Sequence, residues 1–152
     1  MVAHDRLLPP HHRRVLDRFV ATCQADERVV AAVLAGSYAR GTADAYSDLD
    51  LGLITTDAAH ADVVASRAAF IRRLGEPVFL EDYADVVFFI LRDGTEGELA
   101  LGRVGAFTHI LQGPYAVLLD RTGLLEGALF TGYVPTRRAT GVLSAPDRLV
   151  LA

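Results

Sequence analysis

Two aspartates separated by one leucine, Asp48 and Asp50, stand twelve residues beyond a Gly-Ser pair, Gly36 and Ser37, in the stretch LAGSYARGTADAYSDLDLGL. In an extended strand, a period of two puts both carboxylates on one face with Cβ atoms ~7 Å apart. Leu49, Leu51 and Leu53 then point the other way. The leucines bury the opposite face, so folding does not require the carboxylates. Two like charges side by side repel, and each raises the other's pKa. A divalent cation removes that penalty, and Mg²⁺ favours carboxylate oxygens, phosphate oxygens and water. For a bare Asp-x-Asp, an exposed strand face is the ordinary reading. The neighbours change it. Gly36 allows close backbone approach to a ligand, and Ser37 adds a hydroxyl donor. A helical turn after Ser37 would leave free N–H groups for an anion, with Arg40 one turn on to hold phosphate bidentately. Gly41 breaks that turn and returns the chain toward Ser47. Each piece alone fits an ordinary turn with a surface arginine. The set describes a phosphate cradle beside a divalent-metal site.

The bulk composition narrows the chemistry. A chain of 152 residues, half of them hydrophobic, fits one globular domain with a real core. A net charge of −4 argues against nucleic acid as an electrostatically held partner, and the adjacent arginine pairs form no basic stripe. The sequence contains no lysine, which excludes a P-loop and any Schiff-base chemistry by a lysine nucleophile. Cys23 is the single cysteine and shares helical spacing with Val15, Leu16, Phe19 and Val20, so it is expected to be a buried thiol in a reducing, cytoplasmic setting. The opening MVAHDRLLPPHHRR lacks the apolar segment of a signal peptide, and no apolar run approaches the ~20 residues that span a bilayer.

Several elements must hold these residues. Pro9 and Pro10 suit the first turn of a helix over roughly 11–25, with His11 and His12 as exposed first-turn residues. Val29 to Ala35 is a short apolar run that suggests a strand buried on both faces, and Asp48 to Thr55 alternates as a half-buried strand. Thr56 or Asp57 could cap one helix running to about Leu74, with Gly75 just past its end. Strands are expected at Val86 to Leu91 and Glu98 to Gly102, joined through RDGTEG as a hairpin, and at Tyr115 to Leu119. The order predicts an α/β (α+β) fold: a small mixed sheet with helices packed on one face. His60 and His109 lack ligand-spaced partners, and Asp120 and Arg121 fit a turn.

GSYARGTADAYSDLDLGL resembles the signature of the nucleotidyltransferase superfamily that includes DNA polymerase β: Gly-Ser, a downstream Gly, then Ser-Asp-x-Asp on a strand. The later stretch GELALGRVGAFTHILQGPYAVLLDRTGLL is similar, more weakly, to the aminoglycoside and lincosamide nucleotidyltransferases. Together they cover about residues 28–133, taken as a nucleotidyltransferase domain over 1–133 with an irregular arm over 134–152. The resemblance implies a third carboxylate on a neighbouring strand. Glu98 is the choice, across from Phe89 if the loop has two residues; Asp85 is the alternative, more ordinarily a charge at a strand entrance, and Glu96 is assigned to the turn. It implies that Asp48, Asp50 and Glu98 hold two Mg²⁺ ions ~4 Å apart, and that Gly36, Ser37 and Arg40, with Ser47 nearby, serve the nucleotide. The implied reaction moves a nucleoside monophosphate, AMP from ATP or its like from another triphosphate, to a hydroxyl of a small molecule such as an aminoglycoside. Other accounts are a minimal toxin–antitoxin-type enzyme that modifies a helical partner protein, and a truncated, inactive nucleotide-binding module. In antibiotic-modifying relatives a helical half holds the acceptor; no helical repeat is expected after Tyr133, and a homodimer that completes the site is one expectation.

Overall fold

The computed structural model describes residues 8–111 and 113–126. The expected irregular arm over 134–152 lies outside them. Helix α1 (Pro10–Ala25) leads into strand β1 (Val29–Ala35), the short helix α2 (Gly36–Arg40) and strand β2 (Leu49–Thr55). Helices α3 (His60–Ala65) and α4 (Arg67–Leu74) follow, then β3 (Pro77–Tyr83), β4 (Val86–Leu91) and β5 (Glu96–Arg103). A 3₁₀ turn (Thr108–Ile110) precedes β6 (Ala116–Asp120).

The six strands form one mixed sheet in the order β3-β4-β5-β2-β1-β6. All pairings are antiparallel except β2 with β5. Leu49, Leu51 and Leu53 of β2 point into the main core beside Leu99 and Leu101 of β5, under Leu16, Phe19 and Cys23 of α1 and Ile71 and Leu74 of α4. Each such leucine contributes roughly 1.5–3 kcal/mol by leaving water. Burial keeps the Cys23 thiol protonated well above its ordinary range. The opposite face carries a smaller core around Val33, Ile54, Leu111 and Tyr115. No helix among the described residues is long and apolar enough to cross a membrane.

Several expectations need correction. The segment expected as one helix to Leu74 is two, broken at Ser66, whose hydroxyl donates back to the carbonyls of Asp62 and Val63. Neither Thr56 nor Asp57 caps the first of these helices, whose N-cap is Ala59 without a side-chain bond; Thr56 Oγ1 accepts the amide of Ala59 at 3.3 Å, and Asp57 accepts from Arg103 and from the Gly105 amide. Strand β3 is additional to the expected elements: none of its residues is buried, Val78, Phe79 and Tyr83 are exposed, and it forms a sheet edge. Three residues, not two, close the β4–β5 hairpin: Leu91 donates to Thr95 O, and Gly94 takes φ 92°. Glu96 is therefore in β5, and Glu98 faces Phe88 rather than Phe89. Arg121 is more than a turn residue: its guanidinium donates to Cys23 O and Gln24 O at the end of α1 and to Val29 O. Asp120 does close the turn, accepting the amides of Leu124 and Leu125.

His12 is buried, not exposed, at 4% accessibility. Its Nδ1 lies 2.7 Å from the hydroxyl of Tyr38, itself fully buried. A buried tyrosine hydroxyl needs a partner, and α1 supplies it, which clamps α2 to the main core. Desolvation, helped by the neighbouring His11, holds the His12 imidazole below its usual pKa. Tyr38→Phe should leave a buried ring nitrogen unpaired and lower stability by about 1–2 kcal/mol. A shift of the urea midpoint at constant m-value is the expected readout; an unmoved midpoint would mean that this bond does not hold α2.

Candidate active site

The parallel register of β2 with β5 sets Asp50 directly beside Glu98, and the antiparallel register of β1 with β2 sets Ala35 beside Asp50. The next residue, Gly36, opens α2 at φ 67°. A Cβ built on Gly36 would stand 1.6 Å from Asp50 Oδ2, so only glycine lets this backbone lie against the carboxylate. The chain then makes the expected helical turn, and Gly41 ends it in the left-handed region at φ 74°.

Asp50 and Glu98 stand side by side across the parallel pair, so that a hydrogen bond between their carboxyls needs a proton on one of them. Burial first, then the charges of Asp48 and Glu98, pushes the Asp50 carboxyl up to about 7, while Arg40 pulls the other way. The pair opens into a cavity of about 580 Å³ that is also lined by Gly36, Arg40, Asp85 and His109. That volume lies within the ~300–1,000 Å³ range of small-ligand sites. A larger hollow of about 790 Å³ sits beside Arg18, Arg72 and Arg73. Its one carboxylate, Glu76, is paired with Arg92.

Of the residues singled out in the sequence, Gly36, Arg40, Asp50 and Glu98 meet in one cavity. Asp48 does not join them. It is exposed just before β2 and lines a shallower groove with Phe88 and Glu96, while its charge still acts on Asp50. Among the described residues no three acidic, histidine or cysteine side chains form a ready-made metal ligand set. Ser37 does not line the cavity either. Ser47 is engaged in its own loop, accepting the Asp44 amide at 2.8 Å, and it borders a separate hollow near His11 and His12. Asp85, the alternative third carboxylate, also lines the cavity, and so does His109, which the sequence left without a role; the two are joined Oδ2 to Nε2 at 2.5 Å. They lie too far apart in the chain for any spacing rule to pair them.

The donor set suits a divalent cation. Two carboxylates are forced together in a half-buried place where a cation would replace a proton, and a third, Asp48, stands two residues before Asp50. Gly36→Ala tests the closeness of this packing. The substitution should cost roughly 1–3 kcal/mol for the left-handed backbone alone and should push Asp50 out of contact with Glu98. Thermal melting should show the loss, and a variant as stable as the parent would contradict the geometry.

A search of curated proteins finds no match. Among solved structures, the chain is similar to an aminoglycoside 6-adenyltransferase from Bacillus subtilis at 15% identity and a TM-score of 0.46. The alignment covers 63% of this chain and 36% of that one, so the chain spans about a third of that protein's length. Residues 16–99, more than half the chain, match the family model described as the nucleotidyltransferase domain. The chain belongs to the nucleotidyltransferase domain family.

Proposed function

We propose that the chain transfers a nucleoside monophosphate, AMP from ATP, to a hydroxyl group of a small molecule such as an aminoglycoside, with Asp50 and Glu98 at the centre of the reaction. The observation that carries this reading is the Asp50–Glu98 pair, held in register beside Gly36 and Arg40 within a single cavity. Asp48, Asp50 and Glu98 would hold two Mg²⁺ ions, Asp48 by turning its exposed side chain inward. The cations supply charge neutralisation at the phosphates and acidify the attacking hydroxyl. The protein's own part is positioning. Arg40, on the last turn of α2, grips phosphate oxygens, and Gly36 lets the backbone approach them. The sheet carries Asp50 and Glu98 on rigid, paired strands, which limits the movement needed at the moment of transfer. Ser37 and Ser47 serve the nucleotide only through the loop that they shape.

The direct test is incubation with Mg²⁺, α-labelled ATP and a panel of aminoglycosides, followed for labelled products. Labelled antibiotic is the expected outcome. Label on a protein would redirect the acceptor to a partner or to the chain itself, and binding without turnover would make this an inactive nucleotide-binding module. Asp50→Asn should lower the rate by at least ~10²-fold with the fold intact; full activity in that variant would remove the metal role.

The Asp50 shift also predicts a pH dependence. Its folded value of about 7 lies above the ordinary 3.8, so the folded chain keeps a proton that the unfolded chain gives up. The stability contributed by this group is complete below about pH 4 and is lost as pH rises toward and through 7. The metal-free protein should therefore melt lower at pH 8 than at pH 5, by roughly 2–4 °C for each kcal/mol lost. Mg²⁺ should restore the loss at pH 8, and Asp50→Asn should flatten the slope. An identical slope in that variant would contradict the assignment.

A further inference from the structure

In the proposed reaction Asp50 and Glu98 serve the cation and the phosphates, so the proton on the acceptor hydroxyl still needs a destination. His109 is the one histidine among the described residues that lines this cavity, together with Asp50, Glu98 and Arg40. Its Nε2 is fixed against Asp85 Oδ2 at 2.5 Å. No hydrogen bond to its Nδ1 is found among the described residues, and a ring nitrogen that carries no proton is an acceptor.

Both members of the pair are held by the sheet rather than by loose loops. His109 is the middle residue of the 3₁₀ turn, whose Ile110 packs on the sheet where two glycines leave room for it. Ile110 Cδ1 lies 3.4 Å from the position a Cβ on Gly52 would take and 3.5 Å from that on Gly102. Leu111 follows as a fully buried member of the second core. Asp85 is tied from the other side, because its carbonyl accepts the Leu101 amide of β5 at 2.9 Å. Gly52 and Gly102 thus occupy the sheet face that carries Asp50 and Glu98, two and four positions further along the same strands. The other ion pairs among the described residues (Arg13 with Asp17, Arg28 with Asp26, Arg67 with Asp82, Arg92 with Glu76, Arg103 with Asp57) lie outside this cavity.

We infer that His109 is the general base of the transfer and that Asp85 positions its ring, an assignment that rests on the nucleotidyl-transfer reading above. The acceptor O–H gives its proton to His109 Nδ1 while its oxygen forms a bond to the α-phosphorus. The bond from that phosphorus to the bridging oxygen of the β-phosphate breaks, and pyrophosphate leaves with the electron pair. Asp85, against Nε2, orients the ring in the tautomer that leaves Nδ1 as the acceptor.

The test follows α-labelled ATP with Mg²⁺ and concentrated glycerol as a generic hydroxyl acceptor, counting labelled glycerol adduct and AMP. His109→Gly should slow transfer by ~10²-fold or more, and free imidazole added to the medium should restore at least a tenfold portion. Asp85→Asn should lower kcat by about tenfold with the MgATP dissociation constant unchanged, because it acts only through the ring. Nitrogen-15 NMR of the parent should show His109 protonated at Nε2 and bare at Nδ1, a preference that Asp85→Asn erases. An unimpaired His109→Gly, a loss that imidazole cannot touch, or a ring protonated at Nδ1 would overturn the base. A parent protein that binds MgATP but makes no labelled product would instead fail the transfer reading itself, so the two failures are separable.

Discussion

Everything in this molecule turns on the parallel register between β2 and β5. It aligns Leu51 with Leu99 and Leu53 with Leu101 on the core face, and in the same stroke aligns Asp50 with Glu98 on the other. Side chains alternate with a period of two, so a one-residue slip would bury Glu98 among the leucines and expose Leu99. The core therefore enforces a juxtaposition that the carboxylates would not choose: two acids in contact, partly out of water, with one of them driven up to about 7. Hydrophobic packing supplies the free energy that holds the like charges together. In the proposed reaction a cation would take the place of the proton that relieves this repulsion.

The small residues around the pair follow from the same constraint. Gly36 has no side chain because Asp50 occupies that space, and Gly52 and Gly102 give way to Ile110. The 3₁₀ turn can then lie flat on the sheet and bring His109 to the cavity's edge. Behind the sheet, the His12–Tyr38 bond fixes the other wall by locking α2 to α1. The cavity is thus framed by contacts from both faces of the sheet.

Much of this was legible in the sequence. The apolar run of β1 and the leucine alternation of β2 are strong periodic signals, and both strands match their expected spans to within a residue. Gly36, Arg40 and Asp50 could be read together because they sit within one short connection. Glu98 could be chosen from the strand that contains it, but not its register, because a left-handed Gly94 adds a third residue to the hairpin loop. Edge strand β3 buries neither face fully and left no alternation to read. The burial of His12 depends on Tyr38, a contact between elements that local pattern does not encode. The His109–Asp85 pair is of the same kind, since its members approach only after β4 and β5 have paired. Asp48 shows the converse: strand period groups it with Asp50, but it lies just before β2, exposed and beside a separate groove.

The measurement that bears most directly on the central claim is binding of Mn²⁺, followed by electron paramagnetic resonance, in the presence of a non-hydrolysable ATP analogue. The parent chain should bind the ion with nucleotide present, and Glu98→Gln, which leaves the strand register and the Asp50 side chain in place, should weaken that binding at least ~10-fold. Equal Mn²⁺ affinity in the parent and in Glu98→Gln would contradict the account, because the pair that the sheet forces together would then have no part in holding a cation.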